Sequence, residues 1–405
     1  METLDRLALL SQATLYEGND GTPKRVAERR PQGYTAVQER ARFGANHPKA
    51  RPVEVDGRKL VIHMAASSGG RRTPLLKAML TSACERDCYY CPFRAGRNYR
   101  RTTLKPGEMA QAFHKTYQLG IADGLFLSTG IFAGGCHTQD KLLETADILR
   151  HKLGYMGYLH LKIMPGAERE QVVRAMQLAD RVSVNLEAPN QERLSRLAPH
   201  KQFLDELLRP LQWIEAIRKR DPYKVAWKGR WPSSATQFVV GAAGESDLEI
   251  LSTTTHLIQK SNLRRAYFEA FDPVPDTPLE SHPAENPLRQ QRLYEASFLL
   301  RDYDFDLEDM PFEADGRLPL DRDPKTAWAD RSIKHAPIEL NTAEREMLMR
   351  VPGIGPKTAD AIIHARRQRR LRDISQLRRL GISPSRSAPY ILLDSHPPLQ
   401  QLPLL

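Results

Sequence analysis

Between residues 73 and 300, short apolar runs alternate with longer amphipathic stretches. The runs at 75–80, 124–128, 158–163, 181–186, 236–240 and 266–270 are rich in Leu, Val, Ile and Phe. Their length and content are those of buried strands. The stretches at 106–119, 139–151, 166–178, 203–219 and 246–259 repeat apolar residues at helical spacing. Strands alternating with helices predict βαβ units around a parallel sheet, an α/β fold. Six such units fit a partial (β/α)6 TIM-like barrel, and loops after the strands of such barrels carry the chemistry.

A different pattern begins near 339. Asn341 is placed to cap a helix, with Glu344 in the capping-box position. That helix ends near 350. Pro352-Gly353-Ile354-Gly355 then predicts a tight turn, and Pro356 opens a second helix. Ala359, Ile362, Ile363 and Ala365 give that helix one apolar stripe. A degenerate second hairpin is expected over 373–392, around Leu380-Gly381-Ile382. These elements predict a small all-α C-terminal domain. The expected organisation is a basic N-terminal extension at 1–72, a barrel at 73–300 and a linker at 301–335. The hairpin domain follows at 336–395, and a Pro/Leu/Gln-rich tail at 396–405. The extension carries a helix expected at 34–43 and a cluster of Lys24, Arg25, Arg29 and Arg30.

Composition narrows the class. The chain has 405 residues, enough for two or three domains. Its formal charge is +11, which favours a polyanionic partner without specifying one. Residues 336–405 hold 11 Lys and Arg against 6 Asp and Glu, a local excess of +5. The first twenty residues lack a signal-peptide apolar core, and no stretch has the apolar length of a membrane span. A cytoplasmic protein with no membrane partner is expected.

Four cysteines do not make a secreted disulfide framework. Three of them, Cys84, Cys88 and Cys91, sit directly after the first strand as Cys-x3-Cys-x2-Cys, with Tyr90 before the last. A structural zinc site is closed by four ligands, usually in two pairs. Iron–sulfur clusters are also usually held by four thiolates. Three thiolates in one loop would leave one iron of a 4Fe–4S cube without a protein ligand. The plainer alternatives are a zinc loop or three reduced core thiols.

At these residues the sequence resembles the radical S-adenosylmethionine (radical SAM) enzymes, whose hallmark is this spacing with an aromatic residue before the third cysteine. The resemblance implies a 4Fe–4S cluster on Cys84, Cys88 and Cys91. It also implies S-adenosyl-L-methionine on the open iron and its cleavage to a 5′-deoxyadenosyl radical. Cofactor contacts are then expected at the strand ends: Tyr90; Ser128, Thr129 and Gly130 after the second strand; and Lys162 after the third. The fourth strand offers Asn185 and Glu187, and the fifth offers Gly241 in the run Val239-Val240-Gly241-Ala242-Ala243-Gly244-Glu245. The family's Gly-Gly-Glu after the second strand is absent here, where Ser128-Thr129-Gly130 stands. The stretch Phe271-Asp272-Pro273-Val274-Pro275-Asp276-Thr277-Pro278 is expected to form a rim or lid. Cys136 lies outside the motif. Some radical SAM enzymes acting on DNA use an extra cysteine as a hydrogen-atom donor, which makes Cys136 the catalytic candidate. The plainer reading is a loop thiol acting as a small hydrophobe.

The segment Val351-Pro352-Gly353-Ile354-Gly355-Pro356-Lys357-Thr358-Ala359 is similar to the helix-hairpin-helix DNA-binding motif. Gly353 and Gly355 would bare backbone N–H groups at a helix N-terminus for a phosphate. Lys357 and Thr358 would add a charge and a hydroxyl, positioning the protein without reading bases. A run of Arg366, Arg367, Arg369, Arg370 and Arg372 follows. A radical generator fused to such a hairpin resembles the radical SAM proteins assigned to DNA modification or repair. That family implies DNA as partner, a reductant protein, and a uracil-DNA-glycosylase-like protein encoded alongside. Two alternatives stay open: a radical SAM enzyme modifying RNA such as tRNA, and a non-enzymatic, metal-containing DNA-binding module.

Overall fold

The computed structural model describes residues 2–14, 51–55, 57–66 and 72–398. The expected helix at 34–43, the Lys24–Arg30 cluster and the last seven residues of the tail lie outside the described residues. The chain forms two compact units, residues 1–245 with 256–290, and residues 246–255 with 291–405.

The first unit opens with helix α1 (Thr3–Ala13) and is built on one eight-stranded sheet in sequential order. The strands are β1 (Arg51–Val55), β2 (Arg58–Ala66), β3 (Arg72–Met79), β4 (Gly124–Ser128), β5 (Tyr158–Lys162), β6 (Arg181–Ser183), β7 (Ser233–Val240) and β8 (Arg265–Ala270). β1, β2 and β3 pair antiparallel, and β3 to β8 run parallel. Parallel neighbours need crossovers. These contain α2 (Pro106–Gln118), α3 (Gly135–Asp147), α4 (Arg169–Leu178), α5 (Gln191–Ser195), α6 (Arg209–Arg220) and α7 (Asp247–Ser261). The six parallel strands with their crossovers make the expected partial (β/α)6 barrel, left open.

Alternation along each strand gives the parallel strands two unlike faces. Leu76, Leu125, Leu127, Leu159, Leu161 and Phe268 are fully buried on one. The other carries Lys77, Phe126, His160, Lys162, Arg181 and Ser183, most of them only half-buried. The apolar face is the one that packing helices require. The polar face is the inner wall of the barrel.

The N-terminal part differs from a basic extension. Residues 51–66 add two antiparallel strands, and α1 buries Leu7 and Leu10 completely against β2 and β3. Arg6 pairs with Glu108 of α2 at 2.6 Å. β1 sets Arg51 and Glu54 among its apolar positions, and β2 opens on Arg58 and Lys59 with only Leu60–Ile62 before His63, so neither stands out as a long apolar run. β6 also ends three residues early. Thr236 donates its hydroxyl to the Val184 carbonyl and accepts from the Leu186 amide, diverting that chain from the ladder.

The second unit includes α8 (Pro287–Asp302), α9 (Pro324–Ser332), α10 (Arg345–Arg350), α11 (Pro356–Gln368), α12 (Ile374–Arg379) and α13 (Pro384–Ser387). A two-stranded parallel sheet joins β9 (Ile338–Glu339) to β10 (Ile391–Leu392). Its core holds Leu340, Leu348, Val351, Ile354, Ile362 and Leu377. The expected linker at 301–335 is part of this unit, since Ala329 and Ile333 belong to the same core. Arg350 lies over the rings of Phe305 and Trp328 at 4.6 and 4.9 Å. Asn341 is not a helix cap, because α10 begins four residues later, after Glu344. Asn341 instead joins Leu371 both ways, accepting its N–H at 2.8 Å and donating to its carbonyl at 2.9 Å.

Candidate functional site

Cys84, Cys88 and Cys91 are free thiols in an irregular loop between β3 and α2. Lacking a ladder, the loop is held by backbone groups finding partners elsewhere. The Glu85 amide donates to Ile131 at 2.8 Å and the Tyr89 amide to Leu197 at 2.7 Å. Arg101 donates to the carbonyls of Ser82, Phe93 and Arg94 at 2.8, 2.6 and 2.7 Å. Arg86 pairs with Glu206 at 2.6 Å. Sequence reading missed both arginines, which look like members of an ordinary charge run.

The sulfurs have their own partners. The Ile131 N–H points at the Cys84 Sγ at 3.4 Å, and the Phe93 N–H at the Cys91 Sγ at 3.4 Å. Burial pushes the Cys88 and Cys91 thiols up, and the cysteines raise one another further. The Lys201 ammonium works against that rise at both. Lys201 itself is buried, which disfavours its charge, but Cys88 and Glu187 outweigh burial and hold its pKa above the ordinary value. Its Nζ lies 3.2 Å from Glu187 Oε1, with side-chain exposures of 8% and 6%. Burial and Glu187 both push the Tyr90 phenol up, and Tyr90 and Glu187 share a hydrogen bond.

Among the described residues, no three His, Cys, Asp or Glu side chains are gathered to hold a single metal ion. A 4Fe–4S cube presents a separate iron to each thiolate. Three free thiols in one pinned loop, two with N–H groups aimed at sulfur, suit that group, since hydrogen bonds to sulfur tune such clusters.

The loop after β4 closes on the cysteine loop. Gly130 donates its N–H to Thr81 at 2.8 Å. A Cβ at Gly130 would sit 2.1 Å from the Ala83 carbonyl oxygen and 3.2 Å from the Cys84 Cβ. Only glycine allows that approach. Ser128 is fully buried and Thr129 nearly so, with its hydroxyl donating to the Gly130 carbonyl. Neither is an open hydroxyl at a strand end. Lys162 ends β5 on the inner wall, and Asn185 is half-buried beyond β6. Glu187 departs from the expected strand alternation. Its φ is +64°, and its carboxylate is engaged by Lys201 and Tyr90. Lys201 was missed because it lies fourteen residues away in an unremarkable turn. Gly241 sits in a turn braced by Glu245, which accepts its N–H at 2.5 Å and that of Ala243 at 3.1 Å. Glu245 and Arg289 are themselves buried. The Pro-rich stretch is tied to the segment that follows the cysteines: Arg97 donates to the Pro275 carbonyl at 3.0 Å, and the Asn98 amide to Asp276 at 3.2 Å. Cys136 lies in the first turn of α3, with the Gln171 amide 3.4 Å from its sulfur. It is not part of the three-cysteine loop.

In the second unit the hairpin takes the expected form. Gly353 has φ +85°, Gly355 caps α11, and Pro356 is its first residue. Lys357 is exposed and Thr358 half-buried. The turn rests on Lys325 of α9, whose Nζ donates to the Ile354 carbonyl at 2.5 Å and lies 4.8 Å from the Tyr303 ring centre. Burial pulls the Lys325 pKa down to about 7. The arginine run divides. Arg366 is structural, donating to the carbonyls of Leu340 and Ala343 at 2.9 and 2.7 Å. Arg370 and Arg372 pair with Asp394. Arg367 and Arg369 are exposed, with no ion pair among the described residues. The second hairpin is also present, with Gly381 at φ +78° between α12 and α13.

Residues 334–384 match the family model of the helix-hairpin-helix motif. No curated protein matches the chain. Solved structures similar to it include the FeFe-hydrogenase maturase HydG from Carboxydothermus hydrogenoformans, at 15% identity and a TM-score of 0.44. That match covers 56% of this chain and 51% of that one, so the chain spans about half the length of HydG. Methylornithine synthase PylB is similar over 56% of this chain and 62% of its own, at 14% identity and a TM-score of 0.43. The radical S-adenosylmethionine methyltransferase TsrM from Kitasatospora setae, with cobalamin and a [4Fe-4S] cluster bound, is similar at 10% identity and a TM-score of 0.40, over 80% of this chain and 71% of that one. Likeness at this level does not carry those proteins' reactions to this chain.

Proposed function

We propose that the chain is a radical SAM enzyme acting on nucleic acid, with DNA modification or repair as its setting. The observation that carries this reading is the set of three free thiols in one pinned loop after the first parallel strand of a (β/α)6 sheet. Cys84, Cys88 and Cys91 would hold the 4Fe–4S cluster, and S-adenosyl-L-methionine would take the remaining iron. When bound, the pair supplies a 5′-deoxyadenosyl radical for hydrogen-atom abstraction. The chain's own residues prepare that site. The Ile131 and Phe93 amides steady two sulfurs, and Lys201 offsets negative charge near Cys88 and Cys91. Gly130 lets the β4 loop seat Cys84. Tyr90, Lys162 and Asn185 remain cofactor-facing candidates. Ser128, Thr129, Glu187 and Gly241 act by shaping the walls around it. Cys136 lies at the head of α3 with the Gln171 amide, which also donates to Asp140, 3.4 Å from its sulfur, and stays a candidate hydrogen donor only.

The hairpin supplies the nucleic-acid half. The first turn of α11 offers unpaired N–H groups behind Gly353 and Gly355, with Lys357, Thr358, Arg367 and Arg369 beside them. Contacts of this kind grip backbone phosphates and leave base choice to the barrel. A target base or sugar would be unstacked to reach a barrel mouth. DNA is favoured over RNA because the hairpin is the motif at 334–384. A reductant protein, a uracil-DNA-glycosylase-like partner and a cytoplasmic setting complete the reading.

The test is anaerobic reconstitution. The protein should take up about four irons and release 5′-deoxyadenosine from S-adenosylmethionine and reductant, and Cys88→Ala should abolish both. Deuterium passing from labelled DNA into 5′-deoxyadenosine would fix the substrate. The same transfer from labelled RNA alone would replace DNA with RNA. Zinc in place of iron, with no cofactor cleavage, would leave a metal-containing binding module.

A further inference from the structure

The inner wall of the barrel carries an unusual row. Lys77, Phe126, His160 and Arg181 are register partners across β3, β4, β5 and β6. Register partners in parallel strands point to the same side. The row is therefore two cations with an aromatic pair between them. Phe126 and His160 meet edge to face, with ring centres 4.6 Å apart. Three strand spacings separate the Cα atoms of Lys77 and Arg181, roughly 14 Å on a flat sheet. Both side chains are long enough to lean inward over the rings.

Neither cation is answered by a carboxylate. Lys77 is half-buried, and its ammonium has no hydrogen bond or ion pair among the described residues. Arg181 donates to two hydroxyls, Ser233 Oγ at 3.0 Å and Tyr267 Oη at 3.2 Å, and has no acidic partner among the described residues. Lys162 and Arg265 lie on the same wall, where Glu269 is the acid on β8. His160 is buried, with Ser183 Oγ 2.9 Å from its Nε2. Burial and the charges of Arg181, Lys77 and Lys162 hold it neutral. A protein gains nothing in stability from like charges facing one another with water partly excluded. Such an arrangement suits a site whose missing charge arrives with its ligand.

From this row we infer that the barrel interior binds a phosphate group, carried by a nucleotide unit, between Lys77 and Arg181 above His160. The inference rests on the nucleic-acid reading above and adds to it. The group admitted to the barrel is a phosphorylated nucleotide rather than a bare base, and its phosphate site is separate from the helix-hairpin-helix turn. The phosphate can belong to a free nucleotide or to a strand, since the recognising chemistry is the same.

The test is equilibrium binding by the full-length protein, which needs no radical chemistry. The probes are the four deoxynucleoside 5′-monophosphates, the matching deoxynucleosides and a five-nucleotide single strand. The monophosphates should bind at least about tenfold more tightly than the nucleosides, as a charge-assisted contact predicts. Lys77→Met and Arg181→Met should each remove about tenfold or more of that affinity, and Lys77→Met should leave Tm unchanged or higher. Arg181→Met also loses the Tyr267 contact, so if it fails to fold, Lys77→Met carries the test. Displacement of the monophosphate by the single strand assigns the phosphate to a strand, and failure to displace assigns it to a free nucleotide. The inference is overturned if nucleosides bind as tightly as monophosphates, if no probe binds, or if affinity falls with Lys357→Ala and not with Lys77→Met. Loss of 5′-deoxyadenosine formation with intact monophosphate binding would count against the radical reading alone.

Discussion

The cysteine loop and the hairpin turn are both irregular, and they treat charge in opposite ways. Around the cysteines the protein answers its charges internally. Lys201 meets Glu187 with both side chains over nine-tenths buried, and it reaches Cys88 and Cys91 electrostatically. At the hairpin, Lys357, Arg367 and Arg369 stand in solvent. The difference follows from dielectric. A buried charge without a partner is costly, whereas an exposed one is held cheaply until a phosphate arrives. Under the proposed function, the first site would hold an electron-rich cluster dry and is built with compensation, and the second would grip a polyanion and is built without it.

The sharpest break is at the buried pair. Lys201→Met leaves the buried Glu187 carboxylate without its countercharge, with only Tyr90 still bonded to it among the described residues, and should destabilise the first unit by about 3–5 kcal/mol. Adding Glu187→Gln should recover much of that loss, and urea midpoints of the single and double variants would decide it. Gly130→Ala should come next. Its methyl would collide with the Ala83 carbonyl, so the cysteine loop must move. We expect a loss of about 1–3 kcal/mol, together with a lower iron content after reconstitution. Normal iron loading in Gly130→Ala would show that the β4 loop does not seat Cys84.

The hairpin gives smaller effects. Lys325 has a pKa of about 7 when folded, lowered by burial, against an ordinary value of 10.5. Below pH 7 it is protonated both folded and unfolded, and its buried charge burdens the fold. As pH rises from 7 toward 10, the unfolded chain holds the proton that the folded chain has released, so stability rises. Lys325→Met should flatten that rise in denaturation curves taken across the window. The same slope in both proteins would mean that Lys325 stays charged beneath the turn. Smallest of all, Lys357→Ala should lower DNA affinity a few-fold for every sequence and reduce the salt-dependence slope by about 1. A sequence-selective loss would instead place Lys357 against a base edge.

Much of this layout was legible beforehand. β4 appeared in the sequence with its final boundaries, because Gly124 and Ser128 bracket a short apolar run. The hairpin was legible because Gly353, Gly355 and Pro356 each have few places to stand in a chain. β1 and β2 were not, since β1 is a short edge strand carrying Arg51 and Glu54, and the apolar run of β2 is only Leu60–Ile62 before His63 interrupts it. Asn341 looked like a cap and is a cross-brace to Leu371, a distinction that depends on where residue 371 lies.

Local chemistry fixes what is local. The sequence by itself determined the spacing of Cys84, Cys88 and Cys91, the strand–helix alternation and the glycine-bearing hairpin. Each depends on residues within one turn or one strand of each other. Tertiary structure alone decided that Glu187 turns aside to meet Lys201, that Arg101 binds the cysteine loop, and that Lys77 shares a row with Arg181. Those pairings join segments from roughly seven to over a hundred residues apart. Pairing at such distances is set by strand register and by the cost of leaving buried charges and carbonyls unmatched, neither of which leaves a mark on neighbouring positions in the chain.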